Sequence, residues 1–324
     1  MRKVTFFVEP WVLKEPFIIT GYTFTVTTVL VVHIEENGAL GRGEATGVYY
    51  KGETAESMLK QAHSIKDRLE EGMDREELGK VLPAGGARNA IDCALWDLEA
   101  KLSGHSIWHL TGIKYEETTT VNTVSIAEPD EMAACARHLN TPSIKVKLNG
   151  EIPLERMRAV VHARPDADIV VDVNQGWSFD QLVDLAPQFK ELGIKMIEQP
   201  LARGADAQLK AYNAPLPICA DESCLHTGEL DEAAERYSMI NVKLDKTGGL
   251  TEALDLIKRA REKGLGVMVG NMTGTSLAMA PALVAAQLCD FADLDGALFL
   301  EKDRDHGMTY DGGKVGGLTR DLWG

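Results

Sequence analysis

Three buried-looking strand patterns, each delivering an acid at its C-terminal tip, constrain the fold of this chain more than any other feature. Ile169-Val170-Val171 runs into Asp172, Lys195-Met196-Ile197 into Glu198, and Leu216-Pro217-Ile218-Cys219-Ala220 into Asp221. The acids lie 26 and then 23 residues apart, close to one strand-helix unit each time. Strands that each deliver one carboxylate at the C-terminal tip, at that repeat, bring the acids to neighbouring places on one rim of a parallel sheet. Converging carboxylates repel one another, and a hard divalent cation such as Mg2+ is the usual remedy.

The flanking sequence keeps the same alternation. From Thr118 onward, strand patterns at 119–124, 143–148, 169–172, 195–198, 216–221, 239–244, 266–269 and 291–294 are separated by helical periodicity. The helices are expected from Pro129 and over 153–163, 179–192, 207–212, 229–237, 251–263 and 275–288. Eight strands with helices between them predict an α/β fold, a (β/α)7β modified TIM barrel, over an open doubly wound sheet. No GxGxxG follows the first strand, which weakens a nucleotide-binding reading.

Ahead of the barrel, Val4–Val8, Phe24–Ile34 and Gly41–Ala45 read as an antiparallel meander with a hairpin at Asn37-Gly38. Pro10 to Tyr22 reads as a loop between the first two strands. Helical patterns follow at 54–71, 74–80 and 87–103, the last stopped by Gly104. The expected organisation is an N-terminal α+β capping domain over 1–112, a barrel over 113–305, and an aperiodic tail over 306–324 that packs back on the capping domain.

A formal charge of −15 argues against nucleic acid or an anionic membrane as partner. The five cysteines form no CxxC pair and read as reduced thiols. With no signal-peptide core and no apolar run of bilayer length, a cytoplasmic protein is expected.

Barrel enzymes carry their chemistry at the C-terminal ends of the strands. The polar residues there are Lys145, Lys147, Asp172, Asn174, Glu198, Asp221, Glu222, Lys243, Asn271, Asp293 and Asp295. Lys145 and Lys147 are two apart and so share a face, with Lys147 nearer the rim. Lys243 lies four strands away, across the barrel, with the three acids between. Amines crowded by a metal and by each other are expected to have lowered pKa values, so that one serves as a base near neutrality. Two bases on opposite faces of one carbon allow removal of a proton from one side and return from the other, which is racemisation or epimerisation. A single acid at a strand end is most often a cap or an ion-pair partner; three at unit spacing favour a metal. Lys246 competes with Lys243 for the second base and ranks below it. On pattern alone Asp293 and Asp295 are equally well read as caps of the last loop. His33, His162 and His226 read as surface or core residues.

Lys145-Val146-Lys147, Asp172-Val173-Asn174, Glu198-Gln199-Pro200, Ala220-Asp221-Glu222-Ser223 and Asn241-Val242-Lys243 together resemble the motifs of the enolase superfamily, muconate-lactonizing subgroup. The resemblance runs over essentially the whole chain. It implies Asp172, Glu198 and Asp221 as Mg2+ ligands, Lys147 and Lys243 as acid/base residues, and Lys145 as the neighbour that tunes Lys147. A lysine base working with Mg2+ and an ene-diolate is the chemistry known for that superfamily. Asp293-Leu294-Asp295 resembles the Asp-x-Asp with which dipeptide epimerases hold a substrate ammonium. The segments around it, with Leu244–Leu250 and Leu82–Asn89, look particularly like the bacterial L-Ala-D/L-Glu epimerases.

The resemblance therefore implies a Mg2+-dependent isomerase acting on the C-terminal residue of a dipeptide, and a homo-oligomer. Asn271, Gly21 and Tyr22 join the expected substrate contacts, with the capping loops 16–22 and 46–53 over the barrel mouth. Those epimerases carry an Arg in the first capping loop for a Glu side chain, whereas Phe17-Ile18-Ile19-Thr20-Gly21-Tyr22 has none. An uncharged C-terminal residue is expected in its place, unless Lys51 reaches in. o-Succinylbenzoate synthesis and muconate-type cycloisomerisation on the same scaffold lack an ammonium for the paired acids. A non-catalytic barrel would be expected to have lost some of these positions.

Overall fold

The computed structural model describes residues 2–324. Its first third is an antiparallel sheet of β1 (Lys3–Ile19), β2 (Tyr22–Glu36) and β3 (Ala39–Ala45), in that order. Asn37 (φ 49°) and Gly38 (φ 81°) make the turn between β2 and β3, both left-handed as a two-residue hairpin requires. The sheet is backed by α1 (Ala55–Ser64), α2 (Lys66–Glu70), α3 (Arg75–Val81), α4 (Gly86–Ser103) and α5 (Ile107–Thr111). Leu30, Val32 and Ile34 from β2 bury against Ala87, Ala90, Ile91, Ala94 and Leu98 of α4. Gly43 lets β3 lie directly on α4, since a Cβ there would fall 2.0 Å from Ala90 O.

Two expectations are corrected in this region. Pro10 to Tyr22 is not a loop: β1 continues to Ile19, with a register shift between Val12 and Phe17. The prolines are tolerated because β1 is an edge strand, where a missing N–H costs no ladder bond. The helix expected over 54–71 breaks at Ile65, whose φ of −120° and ψ of 8° interrupt the helical path between α1 and α2.

The second region is a curled parallel sheet of eight strands: β5 (Asn122–Val124), β6 (Ser143–Lys147), β7 (Asp168–Asp172), β8 (Met196–Glu198), β9 (Ile218–Ala220), β10 (Met239–Lys243), β11 (Gly266–Gly270) and β12 (Phe291–Ala292). They neighbour one another in sequence order, and the ends close where Val121 N donates to Ala292 O at 2.9 Å. The outer helices are α6 (Pro129–His138), α7 (Pro153–Ala163), α8 (Phe179–Glu191), α9 (Leu230–Ala234), α11 (Leu250–Glu262) and α12 (Ser276–Ala286), with the short α10 (Leu244–Thr247) capping β10. Between β8 and β9 the crossover is only a 3-10 turn, Ala207–Ala211. This is the (β/α)7β barrel. No helix among the described residues is long and apolar enough to cross a membrane.

The strand expected over 119–124 divides. Thr118–Thr119 forms a separate strand, β4, and only Asn122–Val124 enters the barrel. The partner of β4 comes from the tail, which is not aperiodic: β13 (Thr309–Asp311) and β14 (Lys314–Gly316) make a hairpin, with β14 antiparallel to β4. The chain end returns to α4, where Trp323 is buried and its indole Nε1 donates to Cys93 O at 2.9 Å.

Polar contacts seat the first region on the barrel mouth. Thr20 Oγ1 donates to Val173 O at 2.9 Å, and the hydroxyls of Thr27 and Thr46 donate to Thr273 O at 2.7 and 2.8 Å. Asp245 Oδ1 accepts from Thr46 N and Gly47 N at 3.0 and 2.8 Å. The β1–β2 turn and the loop after β3 are thereby held over the C-terminal strand ends.

Candidate active site

Side chains alternate across a strand, so every second residue of each barrel strand points inward. At the lower level these are Val121, Val170, Met196, Cys219, Met239 and Met268, which pack together as an apolar plug inside the barrel. Two residues further along, the same strands present Thr123, Asp172, Glu198, Asp221, Asn241 and Gly270. The change from apolar to charged within one residue pair marks the floor of the site. Lys147, Asp172 and Glu198 occupy one rung, since Lys147 pairs with Asp172 and Asp172 with Glu198. Asp221 stands just past β9, fixed by its N–H donating to Gln199 Oε1 at 2.9 Å.

Four buried ammonium groups lie among these acids. Lys145 Nζ is 3.0 Å from Asp172 Oδ2, 2.8 Å from Glu198 Oε2 and 2.8 Å from Asp293 Oδ2. Lys147 Nζ donates to Asp172 Oδ2 at 2.6 Å and Asn174 Oδ1 at 3.1 Å. Lys243 Nζ donates to Asp221 Oδ2 at 2.7 Å. Gly270 makes room for that side chain, because a Cβ there would fall 3.0 Å from Lys243 Cε and 2.7 Å from the Asn241 amide. Lys246 Nζ has the opposite character, with Asp221 Oδ1 and the carbonyls of Asp221, Cys224 and Asn241 all within 3.0 Å. Lys246 is a structural strut outside the cavity, and Lys243 is the amine that lines it.

Lys145 and Lys243, held by carboxylates, have pKa values raised rather than lowered. Burial favours the neutral amine of Lys145, but Asp172, Asp293 and Glu198 outweigh it and drive its pKa well up. For Lys243 burial is likewise outweighed by Asp221 and Glu198, and the pKa is raised. Burial also opposes ionisation of Asp172, yet Lys145 and Lys147 bring it down to about 2. Carboxylates that hold the ammonium groups of Lys145 and Lys243 so closely favour their charged form.

The acids form no ready-made cluster of three around a common cation position among the described residues. They nevertheless fit a hard divalent cation. Glu198 Oε2 is buried and accepts no hydrogen bond, its 2.8 Å approach to Lys145 lying off a hydrogen-bonding angle. Glu222 Oε2 and Asn241 Oδ1 are also buried without partners. Three carboxylates on adjacent strands supply the all-oxygen donor set that Mg2+ prefers.

At the other end of the cavity Asp293 and Asp295 both lie past β12, brought to the mouth by the loop that leads into a 3-10 turn, Gly296–Phe299. Asn271 Nδ2 donates to Asp293 O at 2.8 Å, and Asp295 Oδ2 accepts from Thr123 N at 2.8 Å. Asp293, despite burial, is held below the usual carboxylate range by Lys145. Burial and the charge of Asp293 push Asp295 well above it. The two carboxyls are thus shifted in opposite directions.

Lys145, Lys147, Lys243, Asn271, Asp293 and Asp295 all line one cavity. Gly21 and Tyr22 do not. Gly21 sits at the turn beyond β1, and Tyr22 is exposed, stacked on Phe24 at 6.0 Å. Because β1 runs on to Ile19, the residues it turns inward are Phe17 and Ile19, met by Phe24 from β2. Sequence reasoning missed Phe24, Met272 and Phe299, which also line the cavity, as does Tyr49 from the expected capping loop 46–53. The exposed Lys51 is not among its lining residues.

Comparison with known proteins agrees with this architecture. Residues 1–112 match the mandelate racemase / muconate lactonizing enzyme N-terminal domain, and residues 130–315 match the enolase C-terminal domain-like family. The chain is 44% identical to the L-Ala-D/L-Glu epimerase of Escherichia coli (strain K12), over 97% of this chain and 99% of that one. An enolase family member from Agrobacterium tumefaciens, described as having homology to dipeptide epimerases, superposes with a TM-score of 0.98 at 41% identity over 100% of both chains; its crystal structure holds sodium and L-Ala-L-Glu. A dipeptide epimerase from Methylococcus capsulatus, complexed with Mg and L-Arg-D-Lys, superposes with a TM-score of 0.92 at 30% identity, over 98% of this chain and 96% of that one.

Proposed function

The chain belongs to the mandelate racemase / muconate lactonizing enzyme branch of the enolase superfamily, and from that premise we propose a Mg2+-dependent dipeptide epimerase whose two bases are Lys147 and Lys243. The observation that carries the assignment is the placement of these two amines. They project into one cavity from β6 and β10, four strands apart in an eight-stranded barrel, with Asp172, Glu198 and Asp221 on the strands between. A planar carbon held between them is open to one amine on each face.

In this reading Asp172, Glu198 and Asp221 hold Mg2+, which supplies positive charge where the substrate carboxylate gains negative charge as the α-proton leaves. The same carboxylate oxygens hold the lysine ammonium groups in the present structure. Once they are engaged elsewhere, burial favours the neutral amine that a base needs. Lys147 takes the α-proton from one stereoisomer and Lys243 returns one to the opposite face; the roles exchange for the reverse direction. Lys145 ties Asp172 and Glu198 to Asp293 and so aligns the metal end with the far end. Asp293 and Asp295 grip the free ammonium of the substrate, oriented by Asn271 and Thr123. That puts the N-terminal residue at their end and the reacting carbon between the lysines.

Neither o-succinylbenzoate synthesis nor cycloisomerisation gives the two buried acids an ammonium to bind. A homo-oligomer and a cytoplasmic location belong to the same reading, the first checked by light scattering. The test of function is α-proton exchange in D2O across a dipeptide library, read by mass spectrometry. Exchange is expected with free-amine dipeptides, lost on chelation and regained with Mg2+, and lost in Asp221→Asn. Full exchange in metal-free protein, or exchange with N-acetylated but not free dipeptides, would contradict it.

A further inference from the structure

The assignments above leave one wall of the cavity without a role. It is built from Phe17 and Ile19 of β1, Phe24 of β2, Tyr49 from the loop after β3, Met272 after β11, and Phe299 from the 3-10 turn after β12. The rings form a continuous chain. Phe299 lies 4.7 Å from Phe17 between centroids, Phe17 is 6.5 Å from Phe24, and Phe24 meets Tyr49 edge-on at 5.2 Å. This wall stands beside the reacting end, since Lys147 Nζ is 5.8 Å from the Phe17 ring centroid.

Resting on the dipeptide reading, we infer that this wall receives the side chain of the residue being epimerised, and that it selects an uncharged aromatic or branched aliphatic side chain there. The cations lining the cavity are Lys145, Lys147 and Lys243 from the barrel strands, already assigned to the reacting carbon and the acids around it, and none of them belongs to the wall. The segments that build the wall add no charged group to the lining, and the Tyr49 hydroxyl, its pKa raised by burial, stays neutral.

An acidic side chain placed here would lose its hydration against ring faces whose own quadrupole is negative, with no partner in return. A basic side chain would be drawn to the rings but set beside Lys147, which already occupies the Phe17 face. A phenyl or isobutyl group fills the wall with no such cost. The Agrobacterium structure that holds L-Ala-L-Glu, and the E. coli relative named for it, share the scaffold with this chain. Overall identity reports that scaffold, while the choice of side chain is made by a few wall residues.

The experiment is kcat/KM with Mg2+ for L-Ala-L-Phe, L-Ala-L-Leu, L-Ala-L-Glu and L-Ala-L-Lys, read as α-proton exchange. L-Ala-L-Phe and L-Ala-L-Leu are expected to exceed the two charged dipeptides by about 100-fold or more. An equal or higher value for L-Ala-L-Glu or L-Ala-L-Lys overturns the inference and leaves dipeptide epimerisation standing. A failure to exchange these four and every other dipeptide removes both. The Phe24→Arg variant tests the location of the wall. Its ratio of L-Ala-L-Glu to L-Ala-L-Phe is expected to rise by about 10-fold or more, as a cation enters the subsite. An active variant with an unchanged ratio overturns the placement of the side chain against Phe24. The wild-type comparison decides the selectivity even where that variant does not fold.

Discussion

The Lys145 ammonium lies 2.8 Å from Asp293 Oδ2, bridging from the second barrel strand past the first to the loop after the eighth. The same nitrogen is within 3.0 Å of Asp172 and Glu198. One buried cation thus joins the carboxylates proposed for the metal to the carboxylate proposed for the substrate ammonium.

Lys145→Met should therefore lower stability and activity together. It keeps an unbranched side chain one atom shorter and leaves three buried carboxylates without their shared counter-charge, a change that typically costs about 3–5 kcal/mol. Thermal unfolding measured with chelator and with Mg2+ checks this. The loss should be largest in chelator and shrink with Mg2+; a loss indifferent to Mg2+ would count against the shared site.

Binding of a free-amine dipeptide should release a proton. Asp295 is pushed above the usual carboxylate range by burial and by Asp293, so it gives up its proton at a higher pH than an ordinary carboxyl. An arriving ammonium favours the ionised form, and affinity should rise with pH until the substrate amine itself deprotonates near about 8. Calorimetry in buffers of different ionisation enthalpy reads the proton directly. Binding enthalpy independent of buffer below the amine pKa would contradict the ammonium role of the pair.

Gly270→Ala should damage turnover more than folding. The added Cβ would meet the Asn241 amide at 2.7 Å and Lys243 Cε at 3.0 Å, and the flexible lysine is the group that can yield. A fall of about 10-fold or more in kcat is expected from a displaced base, with the circular dichroism spectrum and KM little changed. Wild-type kcat would mean that Lys243 does not need its present path.

Much of the barrel and its floor was legible in the sequence, because three strand patterns that each deliver an acid at their C-terminal tip, in succession at unit spacing, leave few folds. The identity of the second amine was legible only as a ranking, and geometry separates the two. Lys246 follows the strand and turns into carbonyls, while Lys243 keeps the inward phase of Met239 and Asn241. The course of β1 was hidden by Pro10 and Pro16, residues that break a central strand and are harmless on an edge. The aromatic wall was hidden for another reason. Phe17, Phe24, Tyr49 and Phe299 come from separate segments, and no local pattern reports that their rings meet. Raised lysine pKa values could not be read from the order of residues, since they depend on which carboxylate lies within hydrogen-bonding reach.

The central claim is that Lys147 and Lys243 serve opposite faces of one carbon. Its most direct measurement is α-proton exchange in D2O by Lys147→Ala and Lys243→Ala, each given both stereoisomers of a dipeptide that the wild-type protein epimerises. Both variants should fail to epimerise. Each should still exchange one stereoisomer, and not the same one, with the isomer spared by Lys147→Ala being the isomer lost in Lys243→Ala. Exchange of both stereoisomers by either variant, or a Lys246→Ala variant that keeps its fold and loses all exchange while Lys243→Ala remains active, would contradict the account.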